Sequence, residues 1–256
     1  LYEHGDKYTG IEYLHNQFTH GSWSSSANQV TLITTAINPR TALGYTLNLG
    51  YNVENGYKLL TTDSQYGFSL TDRTRAEFVV NRDRVETQNS LINGIHYTLA
   101  GAGIEQQVAD RLTFVGSGGG MFFSDTNSRA YMRLKLIYDL IPEYGVTAQL
   151  RYRQYHGSNT NVQNNYFNPG RYSEYMLAAG VRKRIAGWAV NGTAGLGQQQ
   201  VDQGPHTTTQ LLEFAATSPY AGKIFFRTRL GYSKSTELHG PNYSYRYIME
   251  YLIISL

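Results

Sequence analysis

The 256-residue chain contains no cysteine, only 6 prolines and only 16% charged residues. Without cysteine neither a disulfide scaffold nor a thiolate metal site can form. The charged fraction falls well below the ~25% usual for a soluble domain, yet the mean hydropathy is −0.42. The polarity therefore resides in Thr, Ser, Asn, Gln, Tyr and Gly. The longest uncharged, strongly apolar run is the terminal Tyr251–Leu256, far short of the ~20 residues that a membrane-spanning helix needs. With 41% hydrophobic and 13% aromatic residues, the chain can bury too much surface to remain disordered. The 22 Lys+Arg against 19 Asp+Glu are scattered in ones and twos, so nucleic acid is not expected as a partner. The start, Leu1-Tyr2-Glu3-His4-Gly5-Asp6, lacks the basic and apolar regions of a signal peptide, and the expectation is a piece excised or processed from a longer precursor.

What is present is a period of two. In Leu43-Gly44-Tyr45-Thr46-Leu47-Asn48-Leu49-Gly50-Tyr51-Asn52 one face reads Leu, Tyr, Leu, Leu, Tyr and the other Gly, Thr, Asn, Gly, Asn. The segments 132–139, 146–153 and 224–232 alternate in the same way. This is the strand period, and no segment of comparable length reads as an amphipathic helix. Tight connections fall at 38–41, 72–75, 109–111, 141–144, 185–188 and 218–222, interleaved with polar loops at 20–27, 53–58, 86–94, 124–128, 156–171, 199–206 and 235–242. Six tight turns and seven loops give 14 strands, with both termini on the tight-turn side.

The spacing leaves about a dozen residues per strand, enough for the ~9–11 of a tilted membrane strand and longer than the ~5–6 usual in soluble sheets. The polar face is rich in Gly, Thr, Gln and Asn and poor in Lys and Glu, as the wall of a wet lumen should be. Tyrosines near strand ends (Tyr8, Tyr45, Tyr51, Tyr138, Tyr144, Tyr152, Tyr172, Tyr232, Tyr243, Tyr247) suit two interfacial girdles, although Tyr is also simply a good strand residue. Hydrocarbon tolerates no unpaired strand edge, so the segment 243–256 is expected to pair with 7–18. The expected fold is an all-β, transmembrane, antiparallel up-and-down β-barrel of 14 strands, with 16 as the alternative count, forming a single domain over 1–256 in the bacterial outer membrane. Outer-membrane lipid and lipopolysaccharide are then its surroundings.

If the apolar set faces lipid, the opposite parity places Arg133, Lys135, Arg151, Arg153, Arg182, Arg184, Arg227, Arg229 and Arg246 in the lumen, with Glu12, Glu77, Asp83, Asp139, Glu174, Glu213 and Glu250. Arginines in a wall bind anionic or hydroxyl-rich solutes through paired hydrogen bonds; they can equally pair with carboxylates to brace it. The longest loop, 156–171, is rich in amides and aromatics, and Tyr166 and Phe167 are the expected outer gate. Neither a cofactor nor a structural transition metal is expected. The Gly101-x-Gly103 and Gly116-x-Gly118-Gly119-Gly120 runs lie in strands with no following helix, which excludes a nucleotide loop.

The stretch Tyr166-Phe167-Asn168-Pro169, followed by Arg171-Tyr172 and a strand ending in Arg182-Lys183-Arg184, resembles the C-terminal barrels of bacterial exopolysaccharide exporters, such as those for cellulose, poly-N-acetylglucosamine and Pel. The resemblance implies export of a polysaccharide through the lumen and a preceding periplasmic tetratricopeptide region or lipoprotein partner. Barrels of those families usually have 16 strands. The segment Tyr247–Leu256 resembles the closing strand of outer-membrane barrels, with Leu where Phe or Trp is common. A diffusion porin for acidic oligosaccharides fits the same wall. The stretch His156-Gly157-Ser158-Asn159 resembles the His-x-Ser-Asn of outer-membrane phospholipases and lipid A deacylases, which implies Ser158 as nucleophile, His156 as base and Asn168 as the orienting partner.

Overall fold

The computed structural model describes residues 7–38, 41, 43–159, 162, 165–219, 224–234 and 244–254. Fourteen strands follow one another in a single sheet, each bonded to its neighbours in chain order. They are β1 (Lys7–His20), β2 (Trp23–Ile37), β3 (Gly44–Glu54), β4 (Tyr57–Thr71), β5 (Thr74–Arg84), β6 (His96–Ala109), β7 (Leu112–Phe123) and β8 (Ser128–Ile141), then β9 (Val146–Gly157), β10 (Arg171–Ile185), β11 (Trp188–Val201), β12 (Thr207–Thr217), β13 (Ile224–Lys234) and β14 (Ser244–Ile254). Every registered pair is antiparallel. The count is the 14 that the turn spacing gives.

The alternation decides which side chains are covered. In β10 covered and uncovered residues alternate from Arg171 to Gly180, with Leu177 69% exposed between buried Met176 and Ala178. Leu196 at 65% and Ile248 at 75% continue the bare apolar face. In water such a face would cost ~25 cal/mol per Å²; in hydrocarbon it is the stable arrangement. Tyr45, Tyr51, Tyr138 and Tyr144 are exposed, as a girdle requires. Tyr172 and Tyr247 depart from it. Tyr172 is fully buried on the opposite parity, and Tyr247 pairs with Gly231, over which its ring lies. Tyr243 and the loop at 235–242 lie outside the described residues.

Several loop expectations need correction, among them 53–58, of which only Asn55 and Gly56 lie between β3 and β4, and 199–206, whose first three residues belong to β11. The serines of 24–26 are not a loop: β2 begins at Trp23, and only residues 21–22 turn the chain. The stretch 86–94 contains a short helix, α1 (Gln88–Ile92), capped by Thr87, whose hydroxyl accepts from the Ser90 amide. Five residues are too few for a helical period to show. Two reversals, Asn55-Gly56 (φ 48° and 81°) and Ala186-Gly187 (φ 50° and 84°), put both central residues in the left-handed region, the geometry that matches strand twist in two-residue hairpins.

The chain divides into two compact units. The first comprises Leu1–Ile104, Ser117–Tyr131 and His156–Gly170; the second comprises Glu105–Gly116, Met132–Tyr155 and Arg171–Leu256.

Candidate functional site

In the second unit the register of β10 to β14 aligns inward-facing residues in rows. From the loop end downward these are Glu174, Gln199 and Thr207; then Met176, Gly197 and Thr209; then Ala178, Gly195, Leu211 and Ser233; then Gly180, Thr193, Glu213 and Gly231. The middle of this wall is rich in small side chains, interrupted by Met176, Leu211 and Glu213. Gly197 cannot be anything larger, since a Cβ there would lie 2.2 Å from the Tyr175 carbonyl oxygen. Two arginine rows close the turn end. Arg182 aligns with Asn191, Ala215 and Arg229, and Arg184 with Ala189, Thr217 and Arg227. All four arginines are exposed.

At the loop end the wall is braced. Tyr172 stacks on Tyr155 at 4.5 Å between ring centres, and the Arg153 guanidinium lies 5.1 Å over the Tyr172 ring. Arg153 donates to the Tyr172 hydroxyl at 2.9 Å and to the Glu174 carboxylate at 2.7 Å. The same hydroxyl meets the Glu174 carboxylate and lies 2.9 Å from the Gln199 carbonyl oxygen. The Gln199 amide in turn donates to Thr207 at 3.1 Å. One strand carries a ladder of its own: Arg151 donates twice to Gln149, at 3.0 and 2.7 Å, and Gln149 donates to Thr147 at 3.2 Å. Buried polar groups in such fully bonded networks rigidify a wall.

The expected lumen residues therefore divide. Arg133, Lys135, Arg151, Arg153, Arg182, Arg184, Arg227 and Arg229 all take the parity opposite to the exposed apolar residues of their strands. So do Glu12, Glu77, Asp83, Asp139, Glu174 and Glu213. Arg246 and Glu250 do not. Arg246 pairs with Tyr232, which pairs with Leu212, and Glu250 pairs with Thr228, opposite Ala216. Both occupy the apolar face, and the Arg246 guanidinium lies 5.5 Å over the Tyr232 ring. Sequence parity is ambiguous in β14, because large side chains occupy both faces, Tyr245, Tyr247 and Met249 on one and Ile248 on the other.

In the first unit the long loop is folded back and fastened. Tyr166 is buried and stacks on Phe123 at 4.5 Å. Its hydroxyl donates to Asp125, 3.1 and 3.0 Å from the two carboxylate oxygens, and accepts from Asn127 at 2.9 Å. Burial first, and then the Asp125 charge, push that hydroxyl well above the ordinary tyrosine range, against the opposing Asn127 bond. Arg129 donates to the Phe167 carbonyl and the Asn168 side chain, both at 2.9 Å. The Asn165 carbonyl accepts from Thr87 and from Ser90 (2.7 Å), and its side chain accepts from Asn93 at 2.8 Å. Gly157 makes this possible, because a Cβ there would lie 2.8 Å from the Asn168 amide. Sequence reasoning located Tyr166 and Phe167 but missed Arg129, Asn127 and the helix that fasten them. The signal available was the asparagine density at both ends of the loop.

The hydrolase arrangement is not assembled. The Ser158 hydroxyl donates to Asn127 at 3.1 Å and accepts from the Ser128 amide at 2.9 Å, with His156 exposed and absent from its partners. Asn168 is held by Arg129 and by the Asn159 carbonyl. Among the described residues no group of three or more His, Asp or Glu could hold a metal ion.

No family model matches the chain, and no curated protein does. Solved structures do. The structure described as "Bacterial polysaccharide outer membrane secretin" superposes with a TM-score of 0.68 at 15% identity, over 97% of this chain and 84% of that one. Two structures of OmpT, an outer membrane protein of Vibrio cholerae, have lower scores. The loop-deletion form has a TM-score of 0.43 at 10% identity, over 88% of this chain and 93% of its own, and the in-vitro folded form 0.40 at 10%, over 88% and 85%. These are all bacterial outer-membrane proteins. The fold is that of an antiparallel, up-and-down outer-membrane β-barrel of 14 strands.

Proposed function

We propose that the chain forms a conduit in the bacterial outer membrane through which a polysaccharide leaves the cell, without catalysis. The observation that carries this reading is the wall of the second unit, where Ala178, Gly180, Thr193, Gly195 and Gly197 present a run of small inner residues on β10 and β11. Such a surface lets a sugar chain lie close to the wall, with Thr193 to bond its hydroxyls. The likeness to a barrel described as a polysaccharide secretin supports the same direction. The fastened loop, with Tyr166 and Phe167, fits a gate at the loop side. A periplasmic tetratricopeptide region or lipoprotein belongs with this proposal as its delivering partner.

The test is single-channel recording of the purified protein in a planar bilayer. An open channel blocked by added oligosaccharide is expected, and Thr193→Trp should cut its conductance by about half by narrowing the wall. A protein that passes no current, even after the loop is released by Arg129→Ala, would sink the reading.

A further inference from the structure

The two arginine rows at the turn end differ from the bonded arginines Arg151 and Arg153 of the same unit. Arg151 is bonded to Gln149 and Arg153 is ion-paired with Glu174. Among the described residues no hydrogen bond or ion pair engages the side chains of Arg182, Arg184, Arg227 or Arg229, and all four are exposed. The inward carboxylates of the same unit do not neutralise them. Glu174 is committed to Arg153, Glu213 stands one row higher on β12, Asp139 is on β8, and Glu250, expected to join them, is on the other face.

Geometry makes the four a set. Successive inward residues on a strand are about 7 Å apart, and β10 and β13 are separated by about 14 Å at ~4.8 Å per strand. Two arginines on each side therefore flank a gap floored by Asn191, Ala215, Ala189 and Thr217. None of these floor residues is charged. A guanidinium fork recognises planar anionic oxygens in pairs, and four unpaired forks in two tiers can hold one such group while receiving the next.

We propose that Arg182, Arg184, Arg227 and Arg229 form an anion-binding collar that takes acidic glycan chains, with the sugar carboxylate as the recognised group. Its role as a selector of the exported chain rests on the conduit reading; its binding does not. The collar favours anionic over neutral chains of equal length, and the preference fades with salt as the charges are screened.

The test uses the intact protein purified from outer membranes, titrated calorimetrically in detergent with hexagalacturonate, with a hexasaccharide phosphate ester and with neutral maltohexaose. At about 50 mM salt, hexagalacturonate should bind at least about tenfold tighter than maltohexaose, and the gap should shrink severalfold at about 1 M salt. Replacing all four arginines by Gln should abolish the preference, whereas the fourfold Arg→Lys variant, which keeps the charges and loses the forks, should retain only the smaller, salt-screened part of it, both variants being checked for heat-modifiable gel migration as a sign of folding. Equal binding of the acidic and neutral hexamers, an unchanged preference in the Gln variant, or binding of the phosphate ester alone overturns the carboxylate collar. In the bilayer, a channel blocked equally by both hexamers also counts against the collar and leaves the conduit intact. Selective binding by a protein that passes no current supports the collar and removes the conduit.

Discussion

The two units share a fold and differ in what their inner faces carry. In the first, Glu12, Asp63, Glu77 and Asp83 give the strand wall an acidic character, and a helix and a loop are tied together by asparagine-rich side-chain bonds. In the second, cations outnumber carboxylates and the middle of the wall is rich in small residues. The same strand alternation supports both, because the lipid-facing parity fixes the barrel and leaves the inner parity to vary. The first unit invests its polar groups in fastening a loop, and the second in bracing the loop end of its strands.

The largest effect that would test this contrast is on stability. Tyr172→Ala removes a fully buried ring together with the Tyr155 stack and the Arg153 contact, and should cost about 3–5 kcal/mol in urea unfolding. Tyr166→Ala in the first unit should cost less than half of that, because the loop opens locally. Equal losses would break the distinction between brace and latch. Next comes Glu174→Gln, which strips Arg153 of its carboxylate in a mostly buried pair. A loss of about 2–3 kcal/mol is expected, and a neutral result would make the brace dispensable.

Arg129→Ala should leave global unfolding little changed but free the loop. Chymotrypsin should then cut after Tyr166 or Phe167 about tenfold faster, as local opening becomes about 1.4 kcal/mol easier. The smallest effect is on pH. Burial raises the Tyr166 hydroxyl above its ordinary value of 10.0, so the fastened loop holds the neutral form and the released loop ionises first. Latch stability is complete below about pH 10 and is lost as pH rises beyond it. Loop proteolysis in wild type should accelerate there, and Tyr166→Phe should show no such pH dependence.

Much of this was legible in the chain. The lipid face of β3 is written in leucines and tyrosines at every second position, and the turn residues mark the strand ends. Legibility failed where local pattern and partner disagree. Ser24–Ser26 look like a loop by composition, yet pairing with β1 makes them strand. Arg246 and Glu250 look like lumen residues until the partner strand sets their parity. Whether Arg153 braces or binds depends on Glu174, a neighbour 21 residues away, and no local pattern states which arginine finds a carboxylate.

The mirror-image reversals at Asn55-Gly56 and Ala186-Gly187 bear on how the sheet is assembled in time. Two-residue hairpins close in about 1–10 μs, far faster than pairings that must gather distant segments. These two turns start the β3–β4 and β10–β11 hairpins as independent seeds, one in each unit. Ala186 accepts a left-handed backbone at about 1 kcal/mol, so Ala186→Gly should quicken zipping of β10–β11. The strand bearing Arg182 and Arg184 would then be laid down early in assembly.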